Sequence, residues 1–374
     1  MSKKDVKKNL LEHSEIKVRL LGMYLRRYLN IIANDGYTEK ILIHDLFCGE
    51  GVYENDGEGS PLVILREVKD LHFTGIAKRG KAPLIDCHFN DINPAKVQKV
   101  ESSITAKSLY YPRFGGLRFT SNDYQQEVEV LTRTLPALKN QKAFIFIDPY
   151  DYKSIKASHI RDLLSKGNSE VLLFLPTQFM YRFHANGTPE ALKDFLEELA
   201  DYRSWKKSDS PWGFINQLKE SFRNYLGPRF FVDTFTIQKD SNTVFCLFFF
   251  SSHIKGFEKM LEAKWEIDTE QGKGWNFTGN TPSLFFEQRT NNLEVLLREF
   301  LKSKNRSNGE IYEFTLRSGF LPKHAKEVLE NWQQTGTLRT SSPSGEKIRK
   351  GAFYIAHNHY KDPLAKNKIN FSLS

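Results

Sequence analysis

Apolar positions follow two rhythms in the first two thirds of the chain. Over residues 6–34, Leu10, Leu11, Val18, Leu21, Leu25, Leu29 and Ile32 fall near helical spacing, and Asn34-Asp35-Gly36 ends the run. Short apolar blocks then alternate with helix-spaced stretches. The pattern predicts strands over 40–47 (KILIHDLF), 84–90, 117–121, 143–148 (AFIFID) and 171–175 (VLLFL), and helices over 61–70, 94–107 and 125–135. Blocks that stay apolar at every position suit strands buried on both faces of a parallel sheet. The β-α-β-α order therefore predicts a doubly wound, mostly parallel α/β sheet of Rossmann-like type. Residues 177–228 break the rhythm and read as a helical insertion or lid. Two β-rich runs, 230–238 and 242–251, are joined by Lys239-Asp240-Ser241, which predicts an antiparallel hairpin. Residues 256–268 read as a helix, and the glycine-bearing stretch 271–280 as a loop.

The character changes after about residue 290. Helices are expected over 293–301, 309–318 and 322–335, with Gly319 in the turn and Pro322 in a first helical turn. Residues 338–340 and 352–355 look β-like and flank the basic loop SSPSGEKIRKG. Three helices followed by a basic hairpin predict a winged helix. The expected division is an α/β domain over 1–285, a winged helix over 291–360 and a loose tail over 361–374.

Charge sharpens this division. The 374 residues carry a formal net charge of +9, and residues 291–374 hold 14 Lys+Arg against 8 Asp+Glu, a surplus of six. The basic character thus concentrates in the C-terminal module, where DNA or RNA is the expected partner. Lys323 and Lys326 on the second helix of its turn, with Arg339, Lys347, Arg349 and Lys350 around the wing, are the candidate phosphate contacts. Protein contacts are the alternative use of such a domain. Three scattered cysteines, Cys48, Cys87 and Cys246, fit neither a disulfide framework nor a zinc site, and no metal-ligand spacing occurs. The N-terminal stretch lacks the apolar core of a signal peptide, and the longest apolar run, 244–250, is too short for a bilayer. A soluble cytoplasmic protein with no membrane partner is expected.

Candidate chemistry gathers where the predicted parallel strands end. Asp45-Leu46-Phe47-Cys48-Gly49-Glu50-Gly51 follows the first strand. Gly49 and Gly51 permit a tight turn and close approach to a ligand, and Asp45 can meet a cationic group. The run is neither a Walker loop nor the dinucleotide fingerprint. Asp91 follows the second strand, where a carboxylate can accept from both ribose hydroxyls. Asn122 and Asp123 follow the third, in reach of an adenine edge, and Asp148-Pro149-Tyr150 follows the fourth. Each has a plainer alternative: a strand-to-loop turn at the glycines, helix capping at Asp91 and Asp123, a structural aromatic at Tyr150. Four polar turns converging on one crevice favour a nucleoside cofactor such as S-adenosylmethionine. A parallel sheet finished by an antiparallel hairpin is the pattern of class I methyltransferase domains. Amino-methyltransferases place an Asp or Asn, prolines and an aromatic after the fourth strand, which makes Asp148, Pro149 and Tyr150 the candidate reaction edge. Cys48 lacks a partner base and reads as packing.

Three segments carry a family resemblance: HDLFCGEGVYENDGEGSPL (44–62), FIDPY (146–150) and GFEKMLEAKW (256–265). The chain resembles, over about 1–285, the three-Cys-motif partner protein family. The resemblance implies a methyltransferase-like domain encoded beside a three-Cys-motif protein that is itself similar to radical S-adenosylmethionine enzymes. The leading expectation is thus an S-adenosylmethionine-dependent methyltransferase-like protein that acts on or docks to nucleic acid. A non-catalytic scaffold for nucleic acid and a partner protein is the alternative. A magnesium nuclease built on Asp45, Glu50 and Asp148 is a weaker one.

Overall fold

The computed structural model describes residues 11–79, 83–137, 139–278, 292–345 and 348–374. They fall into two compact units, Met1–His253 with Gly274–Gly279, and Ile254–Lys273 with Asn280–Ser374.

In the first unit α1 (Glu12–Ile32) precedes β1 (Lys40–Asp45), α2 (Ser60–Arg79), β2 (Leu84–Asn90), α3 (Pro94–Ala106), β3 (Leu117–Thr120), α4 (Tyr124–Thr134), β4 (Gln141–Ile147), α5 (Ala157–Leu164) and β5 (Ser169–Leu175). The stretch expected as an insertion forms α6 (Thr177–Asn186), α7 (Glu190–Leu199) and α8 (Pro211–Leu226), followed by β6 (Phe231–Asp240) and β7 (Thr243–Ser251). The sheet runs β3-β2-β1-β4-β5-β7-β6-β8, where β8 is Gly274–Asn276. Strands β1 to β5 are mutually parallel, and β7 runs antiparallel to both β5 and β6. This is the expected doubly wound, mostly parallel sheet with a reversed C-terminal hairpin. Strand β8 corrects the expectation of a loop over 271–280. Two side-chain-free positions, Gly272 and Gly274, hid it from the pattern, yet Gly274 lies so close to Thr236 on β6 that a Cβ would sit 2.1 Å from its hydroxyl.

Both faces of the central strands are covered, which is why β4 and β5 lack apolar-polar alternation. On one face Tyr24 of α1 packs on Phe144 and Phe249, with ring centroids 5.6 and 4.9 Å apart. On the other, helices α4, α5, α7 and α8 bring Val128, Ile160, Leu196, Phe214 and Phe222 into one cluster with Ile145, Leu173, Phe248 and Phe250. One carboxyl lies within this apolar setting: Glu170 of β5 accepts from the Tyr24 hydroxyl and, at 2.6 Å, from Ser251. Burial still pushes its pKa up to about 7.

The second unit begins with α9 (Ile254–Ile267), which the boundary at 285 had placed with the sheet. Its Trp265 donates to the Gly319 carbonyl (2.9 Å), and its Glu258 accepts from the Tyr312 hydroxyl (2.7 Å). Then come α10 (Asn292–Lys302), β9 (Arg306–Ser307), α11 (Asn308–Arg317), α12 (Pro322–Gln334), β10 (Leu338–Ser341), the short α13 (His357–Tyr360) and β11 (Asn370–Leu373). The strands form one antiparallel sheet, β10-β11-β9. This is a winged-helix arrangement with one correction. Residues 352–355 form no strand, and the partner of β10 comes from 370–373, inside the stretch expected to be a loose tail. Ile369 and Phe371 are buried there, so two apolar side chains anchor a segment whose average polarity concealed it.

No helix among the described residues is long and apolar enough to cross a membrane.

Candidate functional site

Parallel strands leave their last backbone groups and their following turns at one edge of the sheet, where a ligand can meet them. Asp45 is the final residue of β1, and the chain then turns sharply. Gly49 and Gly51 adopt φ of +63° and +77°, the left-handed region that side chains resist. Around Gly49 an added Cβ would meet nothing within 4 Å, so conformation alone selects glycine and the space beside it is open. At Gly51 the Cβ would press on Leu62 and Val100 at 3.0 and 3.1 Å, so packing selects it as well. The turn is pinned by three backbone donors: Cys48 to the Asn90 carbonyl (2.8 Å), Gly59 to the Gly51 carbonyl (2.6 Å), and Gly49 to the Asp91 carboxylate (3.2 Å).

Asp45 is fully buried. Its Oδ1 accepts from the Phe47 amide at 3.3 Å, while its Oδ2 has no partner among the described residues. Burial, offset in part by the Ser60 hydroxyl and reinforced by the neighbouring Asp148, pushes its carboxyl up to about 7. Asp148 in turn pairs with Lys17 of α1, whose ammonium also lies 4.3 Å from the centre of the Phe174 ring. Tyr53, in the loop after the glycine turn, feels Asp148, Glu50 and Asp45, and burial with these charges moves its phenol up to about 12. Asp91 accepts from the Gly49 amide, the Asn93 amide (2.9 Å) and the Tyr150 hydroxyl (3.2 Å), with Lys96 at 3.7 Å. Pro149 is buried between Asp148 and Tyr150 in sequence.

The structure therefore gathers Asp45, Gly49, Asp91, Asp148 and Tyr150, and adds three groups that the pattern did not single out: Lys17, Tyr53 and Lys96. Lys17 lies 131 residues from its carboxylate partner, so no local spacing announces it. The remaining candidates have local roles. The Asp123 carboxylate accepts from the Gln125 amide (2.8 Å) as the N-cap of α4, and the Asn122 side chain donates to Glu127 (2.7 Å). The Phe47 ring stacks on Tyr124 at 5.2 Å. The three cysteines are buried free thiols, and burial raises the pKa of Cys48 and Cys87 far from thiolate formation. Among the described residues no group of three or more His, Cys, Asp or Glu is placed to hold a metal ion. Glu50 pairs with Lys99 at 2.9 Å, and Asp148 pairs with Lys17.

In the second unit Lys323 and Lys326 are exposed on α12, Arg339 is exposed on β10, and Arg349 and Lys350 are exposed beyond it. Lys326 pairs with Glu330 at 3.5 Å. Lys347 lies outside the described residues.

Residues 266–345 match the family model of the GMT-like wHTH domain. No curated protein matches the sequence. Among solved structures the chain is similar to a Legionella pneumophila protein of the DUF519 family, at 14% identity and a TM-score of 0.40, covering 69% of this chain and 90% of that one. It is also similar to a putative O-methyltransferase from Klebsiella pneumoniae, at 13% identity and a TM-score of 0.33, covering 67% and 91%. A third is the O-methyltransferase from Bacillus cereus in complex with S-adenosylhomocysteine, at 12% identity and a TM-score of 0.32, covering 67% and 93%. Likeness at these identities concerns the fold alone.

The raised pKa of Asp45 has a consequence for stability. A carboxyl near 7 when folded, against an ordinary 3.8, binds a proton on folding between those values. Its favourable contribution is complete below about pH 4 and is lost as pH rises through 7. Asp45→Asn should flatten that slope and gain on wild type above pH 7, read as the urea midpoint across pH 4–8. Parallel slopes for the two proteins would contradict the assignment.

Proposed function

We propose that the α/β unit binds S-adenosylmethionine in the crevice after β1 and β2 and serves methyl transfer, while the winged helix docks nucleic acid. The observation that carries the reading is Asp45: a fully buried carboxylate whose Oδ2 has no hydrogen-bond partner among the described residues, near a left-handed glycine turn with open space at Gly49. A buried carboxylate with one under-supplied oxygen is costly to ionise, and a ligand ammonium would relieve that cost. Gly49 allows the turn to approach the methionine portion, and Asp91 supplies acceptors for a ribose diol. S-adenosylmethionine would bring an electrophilic methyl group on its sulfonium. Asp148 accepts from an acceptor N–H or O–H, and Lys17 holds its carboxylate in place. Alignment and exclusion of water account for most of what such a transfer requires, so few acid-base groups are needed. The motif resemblance further supports a three-Cys-motif protein as partner.

Isothermal titration with S-adenosylhomocysteine should give one site, and Asp91→Asn should weaken it about tenfold or more, the scale of a lost hydrogen bond to a charged group. No heat and no thermal shift with wild type would remove the cofactor and leave a methyltransferase-like scaffold. For the wing, replacing Lys347, Arg349 and Lys350 together with Ala should lower the affinity for duplex oligonucleotides. The slope of log K against log salt should fall by about 0.9 for each phosphate that is no longer neutralised. An unchanged slope assigns the wing to protein contacts instead. The partnership predicts that the chain and the neighbouring three-Cys protein co-elute on gel filtration after co-expression, and separate elution at micromolar concentration counts against it.

A further inference from the structure

Asp91 is crowded for a ribose acceptor. A carboxylate offers about four acceptor positions. Oδ1 takes the Asn93 amide at 2.9 Å, and Oδ2 takes both the Gly49 amide and the Tyr150 hydroxyl at 3.2 Å. One position remains, on Oδ1, and the Lys96 ammonium lies 3.7 Å from the already doubly occupied Oδ2. A vicinal diol needs two. The two amides cannot leave without undoing the turns they close: one fixes the glycine turn after β1, the other fixes the entry to α3. Tyr150 can leave. The residue is 67% exposed, and Asp91 is only 1% exposed with the phenol against it. Lys96 donates to the same hydroxyl and lies 4.3 Å from the centre of the Tyr150 ring, so it steadies the phenol in this position.

We propose that Tyr150 is a latch: its hydroxyl occupies the ribose-diol position on Asp91 until a nucleoside cofactor displaces it, and the displaced phenol then serves the acceptor side. This rests on the cofactor reading given above. It turns one side chain into a link between two binding events. The phenol follows Asp148-Pro149 directly, so release from Asp91 frees an aromatic ring beside the carboxylate proposed to hold the acceptor. Binding becomes ordered, with cofactor first, because an acceptor that stacks on Tyr150 competes with Asp91 for the same side chain. Removing the hydroxyl while keeping the ring should remove the competition and preserve the stacking surface.

The test is titration of S-adenosylhomocysteine into the full-length wild type, Tyr150→Phe and Tyr150→Ala. Tyr150→Phe should bind about tenfold more tightly than wild type, one hydrogen bond to a carboxylate being the difference. Tyr150→Ala should bind at least as tightly as Tyr150→Phe. Binding by wild type that Tyr150→Phe leaves unchanged or weakens overturns the latch and leaves the cofactor reading standing. Absence of heat from all three proteins overturns the cofactor reading and the latch with it. Binding by the two variants without detectable binding by wild type supports both.

Discussion

A strand buried on both faces can present polar chemistry only at its ends. Strands β4 and β5 carry almost unbroken buried runs between α1 on one side and α4 through α8 on the other, so side chains along them must be apolar or fully paired. Buried polar side chains in the sheet are paired or held neutral. Glu170 is tolerated within β5 because Tyr24 and Ser251 donate to it. His44 and His88, paired in register on β1 and β2, lie within 3.2 Å of each other, and burial lowers both to about 3, so they are neutral at physiological pH. Polar turns therefore collect at the carboxyl ends of the strands, and the candidate site lies there.

At this edge of the sheet the acids differ by environment rather than by type. Asp45 is buried, and its Oδ2 lacks a donor among the described residues. Asp91 is equally buried but surrounded by donors. Asp148 is partly exposed and salt-bridged to a lysine from another element. These are three different preparations of one functional group. An under-supplied carboxylate suits a cation, a donor-rich one suits exchange of hydroxyls, and a held one suits orientation of an incoming N–H or O–H.

The second unit solves a different problem. Its core is small, so α9 is recruited through Trp265 and Glu258, and the last strand of its sheet comes from the final residues of the sequence. The basic side chains are left on the outside because α12 turns Ala325, Leu329 and Trp332 inward.

Much of the fold was legible because periodicity reports burial directly. Continuous apolar blocks marked β4 and β5, the Lys239-Asp240-Ser241 turn marked the hairpin, and helical spacing marked α10 to α12. Strands β8 and β11 escaped because glycines and alternate polar residues erase the pattern, and only a neighbouring strand makes those backbones extended. The glycine turn and the acids that end each strand were also visible, since a tight turn needs particular residues at adjacent positions. Lys17, Tyr53 and Lys96 were not, nor was the hydrogen bond from Tyr150 to Asp91. Hydrogen bonds between side chains 54 to 131 residues apart leave no trace in local spacing. The sequence by itself determined which elements form and which turns must be glycine, because local sterics and burial set those. How fully each carboxylate is supplied with donors was decided only when the sheet brought distant turns to one edge.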